Sequence, residues 1–279
     1  MRPPTGRRAL LAVLAVLVAV CAAVLTPLLL RDPGHQVSSP AWSATREVRW
    51  TPGPGAQWQW QLRGTPEVLP GVAIYGMDGQ STPGSAVQQF AERELRTVCY
   101  LSAGTLEEWR PDAARFPAGV VGEAMADWPD ERWLDVRQLE VLLPLMAERM
   151  DECVRKGFDA VEPDNVDGHL NRTGFPLGPE DQLRYNRALA DLAHERGLSV
   201  ALKNDVPQVR ELEPDFDFAI NEECFRYDEC EAYQPFVAAG KAVLNVEYVE
   251  TPGRCDRARE LGISSMRKNL QLDAWRSPC

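Results

Sequence analysis

The run Asp159-Ala160-Val161-Glu162-Pro163-Asp164-Asn165-Val166-Asp167-Gly168 leads an apolar strand into three carboxylates and two turn residues. Three later stretches end alike. Lys203-Asn204-Asp205 follows Leu198 to Leu202, Asn221-Glu222-Glu223 follows Phe216 to Ile220, and Glu247 follows Val243 to Val246. If these strands lie parallel in one barrel, their ends share the face on which barrel enzymes do chemistry. Two carboxyl groups flanking a glycosidic bond can hydrolyse it, one protonating the leaving oxygen while the other attacks or activates water. Asp164, Asp167, Asp205, Glu222, Glu223 and Glu247 are the candidates. Any one of the 41 acids in this chain serves equally well as a helix cap or loop tie. Their recurrence at four strand ends is what points to a carboxylate-dependent glycosidase.

Other side chains near these ends suit sugar binding. Trp58, Trp60, Tyr75, Tyr100, Phe225, Tyr227 and Tyr248 offer apolar ring faces, although a core position is the default for each. Asn165, Asn204 and Asn221 can hydrogen-bond hydroxyl or amino groups, or cap turns. Glu162 falls inside its strand, where an unpaired carboxylate would cost several kcal/mol. Lys203, at the corresponding place on the next strand, is its expected partner, in a structural rather than proton-transferring role. The alternative chemistries lack their minimal parts. His35, His169 and His194 are the only histidines, with no His-Glu-x-x-His and no Cys-x-x-Cys, so no metal site or cofactor is expected. There is no Gly-x-Ser-x-Gly elbow, no phosphate loop and no Gly-x-Gly-x-x-Gly.

The elements that position these ends repeat a helix, glycine, strand, acid design. Leu142, Leu143, Met146, Met150, Cys153 and Val154 recur at helical spacing, Arg155 and Lys156 suit a helix C-terminus, and Gly157 supplies the stop. A second helix opens at Gly178-Pro179-Glu180-Asp181 and ends at Gly197. Strands are expected near residues 57–62, 71–77, 97–102, 157–162, 198–203, 216–220, 243–247 and 263–268. Eight strands alternating with helices predict an α/β fold, a (β/α)8 TIM-type barrel over residues 57–279. Its first β/α unit is irregular, because no helix separates the first two strands. Residues 103–139 form a long insertion containing Trp109, Trp128 and Trp133.

Ahead of the barrel, Arg2, Arg7 and Arg8 precede the uncharged run Ala9 to Leu30, so residues 1–31 read as a signal peptide or a membrane anchor. Residues 32–56, rich in Pro, Ser and Gly, read as a linker. The expected location is extracellular or at the cell surface, with residues 9–30 as the membrane tether if that segment is not cleaved. The net charge is −11, and residues 1–31 hold four arginines and no acid, so the remainder carries −15. Such a surface disfavours nucleic acid and attracts cationic polymers. Six of the seven cysteines lie outside the apolar run, which in an exported chain implies up to three disulfides. Proximity suggests Cys224 with Cys230 and Cys255 with Cys279.

Five ordered segments resemble glycoside hydrolase family 114, the endo-α-1,4-polygalactosaminidases. They are Trp58-Gln59-Trp60-Gln61-Leu62, Cys99-Tyr100-Leu101-Ser102-Ala103-Gly104, Gly157 to Asp167, Leu202-Lys203-Asn204 and Asn221-Glu222-Glu223-Cys224-Phe225. A looser match covers Ile74 to Asp78. The resemblance implies a barrel that hydrolyses α-1,4-linked galactosamine or N-acetylgalactosamine polymers without a metal. It places the key carboxylates at Asp164 and Glu222, with Trp60, Asp78, Tyr100, Asn165, Asp167, Lys203, Asn204, Glu223, Glu247 and Tyr248 around the substrate. Glu223 stands where the family has glutamine, so a third acid could perturb the pair. Which carboxyl is the acid, and whether configuration is retained or inverted, stays open. The partner implied is a galactosaminoglycan handled by a monomer. The alternatives are a hydrolase of another α-linked amino sugar polymer and a carbohydrate-binding barrel without catalysis.

Overall fold

The computed structural model describes residues 49–279, so the apolar segment 9–30, Cys21 and residues 32–48 of the expected linker lie outside the described residues. Three parallel strands come first, β1 (Trp58–Gln61), β2 (Ile74–Asp78) and β3 (Arg96–Ser102). An antiparallel arm follows, β4 (Thr105–Glu107), β5 (Val121–Ala124) and β6 (Glu131–Leu134), in the order β4-β6-β5. The parallel set then resumes with β7 (Ala160–Asp164), β8 (Ser199–Lys203), β9 (Phe218–Glu222), β10 (Val243–Glu247) and β11 (Ser264–Arg267). A last short strand, β12 (Ser277–Pro278), runs antiparallel to β11. All eight strands expected from the apolar runs are therefore present, in chain order, and they curl into an α/β barrel of TIM type. At the seam between β1 and β11 the Trp58 indole Nε1 donates to Ser264 O at 3.1 Å. The chain before β12 adds the Leu272 carbonyl, which accepts from Leu62 N at 3.0 Å.

The helices are α1 (Gly84–Ala91), α2 (Leu139–Lys156), α3 (Pro179–Glu195), α4 (Val209–Leu212), α5 (Gln234–Ala238) and α6 (Arg254–Leu261). Gly157 ends α2 at φ 92°, the left-handed stop its position predicted. Asp181 reaches back from the first turn of α3 to accept from Gly178 N at 3.0 Å. No helix lies between β1 and β2, as the spacing implied. Among the described residues no helix is long and apolar enough to cross a membrane.

Period-two alternation sorts the strand residues onto two faces. Trp58, Trp60, Ile74, Val98, Tyr100, Ala160, Phe218, Ile220, Leu244, Val246 and Met266 fill the barrel interior. Tyr75, Met77, Cys99, Val161, Val200, Leu202, Ala219 and Val243 face outward into a second core under the helices. Each large side chain so buried contributes about 1.5–3 kcal/mol. Gly76 belongs to the inner face, and a Cβ there would meet the Trp60 ring at 2.5 Å, so glycine makes the room that indole occupies. Three disulfides tie the outer layer: Cys99–Cys153, Cys224–Cys230 and Cys255–Cys279. The last two are the pairs suggested by proximity.

The arm is fused to the strand bearing Asp164. Ala103 N and Gly104 N both donate to Asp164 O, at 2.9 and 3.0 Å, and Leu134 N of β6 donates to Gly104 O at 2.9 Å. A Cβ on Gly104 would stand 1.6 Å from Asn165 O, closer than any side chain can approach. Residues 49–56 also dock on the barrel. Trp50 packs on Phe218 with ring centroids 6.0 Å apart, and Ala242 N donates to Pro52 O at 2.7 Å.

Candidate active site

Asp164 and Glu222 close the inner faces of β7 and β9, and Lys203 closes the inner face of β8 between them. The buried Lys203 ammonium donates to Asp164 Oδ1 at 2.8 Å and to Glu222 Oε2 at 2.6 Å. Those two oxygens therefore lie no further apart than the sum of the distances, 5.4 Å. Burial alone would push the Lys203 amine down, but the carboxylates of Asp164, Glu222 and Glu162 raise it well above its ordinary value. Lys203 also sits 5.2 Å over the Trp60 ring.

The rest of the pair's shell comes from hydroxyls and amides. Asp164 Oδ2 accepts from Tyr100 OH at 2.9 Å, and its Oδ1 also takes Asn165 N at 2.8 Å. Glu222 Oε1 accepts from Tyr248 OH, while Asn204 Oδ1 receives Glu222 N at 3.0 Å. The turns after these strands leave the extended region at once. Asn165, Asn204, Asp205 and Glu223 have φ of 61°, 51°, 49° and 61°, a conformation that Asn and Asp tolerate better than other residues with a Cβ. Such strain beside the carboxylates is held by the surrounding bonds.

Asp164 and Glu222 open into a cleft of about 740 Å³. Trp60, Tyr100, Asn165, Lys203, Asn204 and Tyr248 line it as well, and so do Asp78 and Asp167. Asp167 is pushed up to about 6, chiefly by burial and then by Asp164. Asp78 is gripped by Arg110 through two bonds of 2.9 and 2.6 Å, which hold its carboxyl below the usual range although burial opposes this.

Three of the acids taken from the sequence do not reach the cleft. Glu247 shares its face with Val243 rather than with Leu244 and Val246, so it points outward and is fully buried. There it accepts from Phe225 N at 3.1 Å and Arg226 N at 3.2 Å, ordering the loop after β9. Glu223 likewise turns from the pair and accepts from Arg226 Nη1 at 2.7 Å. Asp205 lies beneath the site, accepting from Asn186 Nδ2 at 2.9 Å, and burial pushes it up to about 8. The expected Glu162–Lys203 pair is also replaced. Glu162 Oε2 accepts from Trp60 Nε1 at 2.9 Å, leaving Lys203 to the two carboxylates at the mouth. Burial raises Glu162 above the ordinary carboxyl value, and the Lys203 charge opposes that rise. Among the aromatics, Tyr75 and Phe225 serve the outer core and Tyr227 is exposed outside the cleft.

The arm supplies groups that the strand-end pattern does not reveal. Glu107 and Glu131 stand at the cleft edge of β4 and β6, and Trp109, Arg110 and Trp128 line the same wall. The usable signal was the alternation Glu131-Arg132-Trp133-Leu134, which marks a short strand with an acid on the face of a tryptophan. Among the described residues no three His, Cys, Asp or Glu side chains converge to hold a metal ion.

An array of two adjacent carboxyl groups at the mouth of a barrel suits cleavage of a glycosidic bond, and the comparisons agree. The sequence model of glycoside-hydrolase family GH114 matches residues 39–279. Ega3 of Aspergillus fumigatus, solved in complex with galactosamine, superposes with a TM-score of 0.78 at 31% identity, over 83% of this chain and 98% of that one. The glycoside hydrolase domain of PelA from Pseudomonas aeruginosa shares the fold at a TM-score of 0.59 and 16% identity, over 80% of this chain and 98% of that one. A search of curated proteins gives no match. The chain belongs to glycoside-hydrolase family GH114, and it is a glycosidase.

Proposed function

We propose that the protein is an exported endo-glycosidase that cleaves α-1,4-linked galactosamine polymers with retention of configuration. The observation that carries the mechanism is the shared Lys203 ammonium, which limits its two carboxylate oxygens to 5.4 Å. Retaining enzymes hold their carboxyls about 5–5.5 Å apart, and inverting ones about 6.5–9.5 Å. Asp164 is the nucleophile, since Tyr100, Asn165 N and Lys203 fix its orientation from three sides. Glu222 is the acid and then the base. Its side chain is the more open of the two, at 26% against 13%, as a group that must meet incoming water requires.

In the first step an Asp164 oxygen bonds to the anomeric carbon while the glycosidic C–O bond breaks, and Glu222 gives its proton to the leaving oxygen. In the second, Glu222 takes a proton from water, the hydroxide oxygen bonds to the anomeric carbon, and Asp164 leaves. Lys203 offsets the repulsion of the two carboxylates when both are charged. Support for the polymer comes from the family and from the galactosamine held by Ega3. The −15 charge outside residues 1–31 favours a cationic chain. Export rests on the N-terminal apolar segment and accords with three disulfides.

The test is to incubate de-acetylated α-1,4-galactosaminan with protein and follow new reducing ends and the anomeric form of the first product by NMR. Cleavage with α-configured product is expected. Binding without new ends would leave a carbohydrate-binding barrel, and β-configured product would sink the retaining mechanism.

A further inference from the structure

A buried acid of the cleft wall, outside the catalytic pair, keeps one oxygen uncommitted. Glu131 is only 7% exposed, yet it lines the cleft wall next to the catalytic strand. Its Oε2 accepts from Thr105 Oγ1 at 2.7 Å and from Asn165 Nδ2 at 3.4 Å. Its Oε1 has no hydrogen-bond partner among the described residues and is not sealed from solvent. Two of the other cleft acids are taken, since Arg110 occupies both oxygens of Glu107 and both of Asp78. Asn165 is the link to the chemistry, its amide N–H on Asp164 and its side chain on Glu131. Beyond Glu131 the same wall presents Trp128, 46% exposed, and Trp109, 56% exposed. Tryptophan faces exposed this far inside a cleft are stacking surfaces for sugar rings and for ring-borne cations.

We infer that the β4–β6 arm reads the amino group of the substrate, with Glu131 Oε1 accepting the ammonium of a de-acetylated hexosamine whose ring stacks on the arm tryptophans. The inference rests on the proposed hydrolysis of a galactosamine polymer and adds what distinguishes one sugar from another. A free ammonium brings a charge and three donors to a half-satisfied carboxylate, whereas an acetamide brings one neutral donor and extra bulk. A hydrogen bond to a charged group contributes about 1.5–3 kcal/mol, so discrimination of about tenfold or more is expected.

The experiment compares kcat/KM on matched de-acetylated and fully N-acetylated α-1,4-galactosaminans. In Glu131→Gln the ratio of the two values falls about tenfold or more. A ratio equal to that of the wild type overturns the inference while leaving the hydrolase intact. Calorimetric titration with a de-acetylated oligomer keeps the two readings apart. If the wild type cuts neither polymer, the hydrolysis fails, yet a tenfold weaker affinity in Glu131→Gln still supports the inference and an equal affinity overturns it.

A second measurement needs no variant. Burial pushes Glu131 up to about 7, Glu107 and Asp164 push the same way, and Thr105 and Arg110 oppose them. Wild-type preference for the cationic oligomer therefore declines as pH falls from about 7 to about 5.5, where Glu131 takes up a proton. Asp167 titrates near 6 in the same cleft. For that reason the decline must flatten in Glu131→Gln, and a decline of equal size in the variant overturns the inference.

Discussion

Two neighbouring strands, β9 and β10, both end on glutamate and put it to opposite uses. Glu222 pairs in register with Val246, one residue before Glu247. That single step decides everything, because adjacent residues on a strand face opposite sides of the sheet. Glu222 follows Phe218 and Ile220 into the barrel and receives only side-chain donors from Lys203, Tyr248 and Asn204, which substrate can displace or share. Glu247 follows Val243 outward and receives two backbone N–H groups that nothing will release. An acid at a strand end is thus a catalytic candidate only when its face is the inner one and its donors are movable.

The contrast can be broken most severely at the pair itself. Asp164→Asn and Glu222→Gln are each expected to lower kcat by about 10³-fold or more with thermal stability close to wild type, read by reducing-end assay and calorimetry. Lys203→Met should cost about 10²-fold and move the pH profile, and Lys203→Arg should not restore it, because a planar fork cannot replace a point charge between two carboxylates. If Lys203→Met kept both rate and profile, the bridging role would be lost. Glu247→Ala strands buried backbone donors, so denaturant unfolding should show a loss of about 2–4 kcal/mol while the folded fraction still cuts polymer. Full stability with abolished turnover would erase the distinction between the two glutamates.

The smallest effect concerns Asp205. Its folded value near 8 lies above the unfolded carboxyl range, so the native state holds a proton that the unfolded chain gives up. The stability it contributes is complete below the unfolded value, near pH 4, and is lost as pH rises through about 8. Asp205→Asn keeps the Asn186 bond available and should raise the unfolding free energy between pH 7 and 8 relative to wild type by about 1 kcal/mol, with a matching rise in the midpoint. A wild-type midpoint that does not fall across that range would show that Asp205 is not held protonated.

The barrel was legible because its strands are apolar and its helices carry clear stops. Gly157 and the Gly178-Pro179-Glu180-Asp181 opening fix boundaries that packing then leaves alone. The strand-end positions of Asp164, Glu222 and Lys203 were legible for the same reason, but singling out that pair of acids took the family resemblance, and Lys203 was assigned to Glu162 instead. Glu247, Glu223 and Asp205 could not be sorted by residue type, although counting in twos from Leu244 and Val246 already turns Glu247 outward. The partner of Glu162 was missed because the pairing crosses the barrel from β1, a contact that no local pattern encodes. The insertion and its tryptophans were noted, but its strands were missed because they are three or four residues long, so an alternation such as that of Glu131 to Leu134 is easily passed over. Glu131 went with it.

Gly104 bears on any attempt to alter what this enzyme accepts. Because no side chain can be inserted there without displacing Asn165, the arm and the turn that carries Asp164 are mechanically one part. Swapping the arm for that of a relative would need the joint to be carried across with it. Libraries aimed at new polymers are better spent on the exposed faces of Trp109 and Trp128, where variation leaves that joint untouched.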